Sequence, residues 1–156
     1  MSASSITPRV AATFLAAGAV VSALALPASA DDGHYRQRQA GVEISAVQAD
    51  SPGRDDRSNR SLNAEWVEIT NTTRRSIDLK GWTLRDEQNN RYRFGDVRLQ
   101  GGATLRIHTG SGRDTRRDVF QNRRDYVWDN RSDTATLRDE HGRTVDTESW
   151  GRHHRH

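Results

Sequence analysis

The chain has 156 residues, with 24 Lys or Arg against 21 Asp or Glu and no cysteine. Without a thiol, disulfides, thiolate metal sites and cysteine nucleophiles are excluded, and the fold must rest on core burial alone. The formal net charge of +3 is small and Lys80 is the only lysine, so net charge by itself gives no strong pull toward nucleic acid.

Residues 1 to 30 carry Arg9, then the apolar run AATFLAAGAVVSALAL, then PASA with small residues at Ala28 and Ala30. That order predicts a secretory signal peptide cleaved after Ala30. The run from Ala11 to Leu26 is 16 residues, short of the about 20 that a membrane-spanning helix needs. The 126 residues that remain keep 23 of the 24 basic residues and all 21 acidic ones, and their number suits one secreted domain. Residues 31 to 40, DDGHYRQRQA, are polar and aperiodic and read as a flexible arm. The domain is expected over residues 41 to 150, followed by a His/Arg-rich tail at 151 to 156.

Val42, Ile44 and Ala46 alternate with Glu43 and Ser45, which predicts a first half-buried strand. Residues 50 to 64, DSPGRDDRSNRSLNA, hold almost nothing apolar and predict a long exposed loop. In EWVEIT, Val67 and Ile69 share a core face, with Trp66 on the face of Glu68, partly exposed or covered by a loop. Ile77, Leu79, Trp82 and Leu84 continue the inward set, and Gly81 marks a bend between short strands. Tyr92 with Phe94, and Leu105 with Ile107, give further alternating pairs; residues 110 to 125 read as a second long loop. TATLRD, EHGR and TVDTES predict a terminal hairpin turning at Gly142. Seven or eight short strands at roughly 8 to 12 residue spacing, with no convincing amphipathic helix, predict an all-β sandwich.

The stretches EWVEI, DLKGWTL, GATLRIHTGSG and W-x-N-x-x-D-x-A-x-L, in that order over residues 41 to 148, resemble the lamin tail domain as found in bacterial secreted proteins. The resemblance implies an immunoglobulin-like β-sandwich, usually non-enzymatic, known from nuclear intermediate filaments and from bacterial extracellular enzymes and surface proteins. One departure is Ser132 before Asp133, where the family commonly has Gly. The resemblance supplies no catalytic residues.

The candidate chemistry is sparse. Asp50, Asp55 and Asp56, or Asp125, Asp129 and Asp133, offer oxygen ligands of the kind Ca²⁺ takes. EF-hand spacing is absent and arginine neighbours neutralise the charge, so these read as solvated loops, with Asn130 and Asp133 capping a turn. His153, His154 and His156 suit weak transition-metal binding without a closed site. No cofactor is expected. Nucleophile-elbow, zinc-protease and phosphate-loop motifs are absent. Only His108 and His141, near carboxylates in sequence, leave a small extracellular hydrolase as an alternative.

The best functional patch is GRDTRRDVFQNRRDY, residues 112 to 126. Arg113, Arg116, Arg117, Arg123 and Arg124 with Tyr126 combine guanidinium groups with an aromatic ring, a composition that suits polyanions such as nucleic acid or acidic glycan. The competing reading is mutual neutralisation by Asp114, Asp118 and Asp125. Asn59, Asn71 and Asn130 each open an N-glycosylation sequon. The leading expectation is a secreted, non-catalytic module that binds an extracellular protein or a cell-wall polymer, without membrane insertion of the mature chain.

Overall fold

A computed structural model describes residues 41–151. The expected signal peptide, the arm and the tail histidines lie outside the described residues. In chain order the elements are β1 (Val42–Gln48), α1 (Asn59–Ala64), β2 (Trp66–Asn71), β3 (Ile77–Asp78), β4 (Thr83–Arg85), β5 (Arg91–Arg93), β6 (Arg98–Leu99), β7 (Thr104–His108), β8 (Asp118–Phe120), β9 (Asp133–Arg138) and β10 (Thr144–Trp150). They form one sheet ordered β1-β2-β7-β8, a second ordered β10-β9-β4-β5, and a two-stranded β3-β6 sheet. The β7–β8 pairing is parallel; the other pairings are antiparallel.

Period-two alternation explains the two main layers. Val67, Ile69, Leu105 and Ile107 are fully buried on one sheet, and Leu84, Ala135 and Leu137 on the other. Their outward neighbours are polar, as a sheet with one dry face requires. Leu79, Trp82, Phe94 and Leu99 complete the same core cluster, and each such large side chain contributes roughly 1.5–3 kcal/mol by leaving water. Gly81, at φ +81°, makes the bend that lets Trp82 and Leu84 follow Leu79 into this core. Gly142, at φ +78°, makes the terminal turn, with Asp139 accepting the His141 and Arg143 N–H groups. The fold is the expected all-β, immunoglobulin-like sandwich.

Four local expectations change. The first strand carries a β-bulge between Ile44 and Ala46, so Val42 and Ile44 are buried but Ala46 is only half-buried, and the inward set resumes at Ala49. Ile77 is half-buried and packs on the rim of the core. The loop expected at 50–64 contains α1: Ser58 caps it by accepting the Ser61 N–H, and Leu62 is buried. The loop expected at 110–125 contains β8, whose Val119 is fully buried. Sheet pairing, rather than local apolar content, orders that segment.

Candidate anion-binding surface

The Arg-rich stretch is positioned by β8. Arg117 O accepts the Arg106 N–H at 2.8 Å, and the Thr115 hydroxyl accepts the Arg117 and Asp118 N–H groups at 3.1 and 3.0 Å. This hydroxyl-closed turn leaves Arg116 and Arg117 exposed beside the buried Val119. A second turn approaches them from the start of β7. Gly102, at φ +73°, reverses the chain there, and a Cβ at Gly101 would come within 2.5 Å of the Arg74 backbone. Between the two turns lies a groove of about 590 Å³ lined by Arg98, Arg116 and Arg117 with Gln100, Thr104 and the intervening backbone.

No carboxylate lines this groove. The three guanidinium groups form no ion pair among the described residues. Asp114, Asp118 and Asp125 form no ion pair with the arginines of the stretch among the described residues. Asp114 accepts the Phe120 N–H, Asp118 meets His108, and Asp125 pairs with Arg57 at 3.0 Å.

Of the six expected binding residues, Arg116 and Arg117 line this groove. They are joined by Arg98, which sequence reading missed because it is distant in the chain. Arg123 instead donates to the Arg91 carbonyl at 3.1 Å. Arg113 and Arg124 are exposed and make no ion pair among the described residues. The Tyr126 hydroxyl lies 2.7 Å from Ser61 Oγ, which ties this half-buried side chain to α1.

The other candidates resolve into scaffold. His108 has both ring nitrogens engaged: Nδ1 donates to the Asn63 carbonyl at 2.8 Å, and Nε2 lies 3.0 Å from Asp118 Oδ1. Its ring stacks on Phe120, so no nitrogen faces a substrate. His141 is exposed beside Glu140. Trp66 sits on the outer face as expected; the Arg106 guanidinium covers it at 4.0 Å, in place of a loop, and also pairs with Glu68.

Among the described residues no group of three or more His, Asp or Glu is placed to hold a metal. Four of the six candidate aspartates, Asp56, Asp125, Asp129 and Asp133, accept backbone N–H groups, and Asp50 and Asp55 accept the Asn130 amide. Asp129 accepts the Arg131 and Ser132 N–H groups, which hold its carboxyl below the usual range, and Asp133 accepts those of Asp129, Thr134 and Glu87. Asp129 thus takes the capping role expected of Asn130, whose amide turns to Asp50. Ser132 is not among the residues at positive φ, so this turn closes without the family's glycine. Asn71 is fully buried, with its amide on the Arg75 and Leu99 carbonyls, so its sequon cannot carry a glycan in the folded domain.

One buried carboxyl was not foreseen. Glu65 is inaccessible; its Oε1 accepts the Thr109 hydroxyl at 2.5 Å and the Val127 N–H at 2.9 Å, while Oε2 has no partner. Burial pushes it up to about 7, against the opposing pull of those hydrogen bonds. It ties the start of β2 to the ends of two other segments and stands away from the groove lining.

Among the described residues no helix is long and apolar enough to cross a membrane. A search of the curated proteins finds no match. The pattern of the family described as Lamin Tail Domain matches residues 36–152, most of the sequence, and with this sandwich beneath it the chain belongs to the lamin tail domain family of non-enzymatic, immunoglobulin-like domains.

Proposed function

We propose that this lamin tail domain is a secreted, non-catalytic binding module that attaches to polyanionic polymers of the cell envelope or its surroundings. The observation that carries the reading is the groove in which Arg98, Arg116 and Arg117 converge with no carboxylate in the lining. Three guanidinium groups brought to one groove without an ion pair repel one another, with Asp78 opposite Arg98 the nearest opposed charge in the strand register; an anion relieves that repulsion and accepts their paired N–H donors in the bidentate geometry that arginine favours. The commitment of His108 to Asn63 and Asp118 supports the non-catalytic part, because the alternative hydrolase loses its best-placed base.

The test is retention on immobilised heparin, a sulfated polymer, over a salt gradient. The chain is expected to bind at low salt and elute as salt rises, and the triple substitution Arg98→Ala, Arg116→Ala, Arg117→Ala is expected to elute markedly earlier. Unaltered elution of that variant rejects the groove.

A further inference from the structure

A second arginine cluster lies on the outer face of the other sheet and shares no residue with the groove. The register places Thr83 opposite Arg93 on one side and Arg138 on the other, and places Arg85 opposite Arg91 on one side and Thr136 on the other. Alternation turns Leu84 and Leu137 into the core, so these partners all point outward. The result is two parallel rows, Arg93-Thr83-Arg138 and Arg91-Arg85-Thr136. Directly opposed side chains stand about 4.5–5.5 Å apart at Cβ, and the rows are about 6.6 Å apart along the strands.

The arrangement is costly as scaffold. Arg85 against Arg91 is a like-charge cross-strand pair, which weakens a sheet. Neither side chain forms an ion pair among the described residues, and the same holds for Arg93. The nearby acids are engaged elsewhere: Asp139 holds Arg143 at 2.7 Å, Glu140 meets His141, and Glu87 accepts the Thr134 hydroxyl. The shallow depression between the rows, about 220 Å³, is lined by Arg85, Arg91, Arg93 and Arg138 with Thr83, and also by Asp139 and Glu140, so four guanidinium groups face two carboxylates there.

We propose that this Arg/Thr face is a binding site for an acidic polysaccharide, in addition to the groove and independent of it. The repeat of guanidinium groups along and across the strands matches a linear polymer that carries one anionic group per sugar, each able to take a paired N–H donor. The threonine hydroxyls between them donate to and accept from sugar hydroxyls. Nucleic acid fits less well. The two rows hold no aromatic ring for stacking bases, and a flat sheet face presents neither a helix nor a β-ribbon to enter a duplex groove.

The experiment measures binding of the full chain to heparin, alginate, single-stranded DNA and duplex DNA at one fixed salt concentration, for three proteins: unsubstituted, face variant and groove variant. The face variant is Arg85→Thr with Arg91→Thr and Arg93→Thr. It replaces arginines by a residue that suits strands and removes the like-charge pair, so its melting temperature is expected to hold or rise. It is expected to lose at least tenfold in affinity for both polysaccharides and less than twofold for either DNA. Arg93→Thr alone, with an expected loss of about threefold, serves if the triple variant does not fold. Unchanged polysaccharide affinity in the face variants overturns the proposal, as does DNA affinity that falls as steeply as polysaccharide affinity. A loss confined to the groove variant overturns the face and leaves the groove standing; a loss confined to the face variant does the reverse.

Discussion

The Ile44 N–H donates to Asp146 Oδ2 at 2.8 Å, and this bond joins β1 at the edge of one sheet to β10 at the edge of the other. Both strands are bulged beside it, between Ile44 and Ala46 and between Thr144 and Asp146. A bulge with a carboxylate against it breaks the row of free N–H groups that an edge strand otherwise offers to another chain. Asp146→Ala is expected to cost about 1–3 kcal/mol by leaving a part-buried donor unpaired, and to promote self-association. Urea unfolding and size-exclusion chromatography at rising concentration check both effects.

Glu65 makes stability depend on pH in a known direction. Its folded-state value of about 7 lies above the ordinary glutamate value of 4.5, so the folded protein holds the proton more tightly than the unfolded chain. This contribution is fully present below pH 4.5 and is lost as pH rises to about 7, a swing of about 3 kcal/mol. Glu65→Gln keeps an oxygen for Thr109 and Val127 but cannot ionise. Wild-type minus variant unfolding free energy is expected to fall by that amount between pH 4.5 and 7.5; a constant difference contradicts the assignment.

Arg85→Thr alone is expected to raise stability by about 0.2–1 kcal/mol, because it removes a like charge opposite Arg91 and leaves a residue suited to a strand. Thermal unfolding at low and high salt provides the check. The gain should shrink in high salt, where repulsion between exposed charges is screened.

Gly110 is buried between β7 and α1, and a Cβ there would lie 2.4 Å from Asn63 Oδ1 and 2.7 Å from Asn59 Oδ1. Gly110→Ala is expected to destabilise by about 1–3 kcal/mol through forced displacement of the helix. Gly95→Ala meets nothing within 4 Å and should change stability by no more than about 0.5 kcal/mol. Equal effects in urea unfolding would contradict this account of how α1 is docked.

How far the sequence reveals the molecule depends on whether a feature is local. Val67 with Ile69, and Leu105 with Ile107, are legible because one buried face imposes strict alternation on each strand. α1 is not, since NRSLNA has a single large apolar residue; it is fixed by Asn59 and Asn63, which both donate to the Ser111 carbonyl across the fold. β8 escapes for the same reason, having only Val119 to bury and a parallel partner, β7, to align it. The arginines of the 112–126 stretch are visible as composition. That Arg116 and Arg117 meet Arg98, while Arg123 turns to Arg91, depends on pairings between segments far apart in the chain. The Arg85–Arg91 opposition likewise exists only once the β4–β5 register is known.

The central claim is that the Arg98, Arg116 and Arg117 groove binds anionic polymers. It is tested most directly by the salt dependence of heparin affinity, measured by titration calorimetry for the full chain and for each single Arg→Ala substitution in the groove. Each arginine that displaces a counterion adds to the slope of log affinity against log salt, by about 0.7–0.9 per contact on the nucleic-acid scale. The slope is therefore expected to become shallower by a similar step with each substitution, and affinity to fall in parallel. A slope and affinity unchanged by all three substitutions would contradict the account.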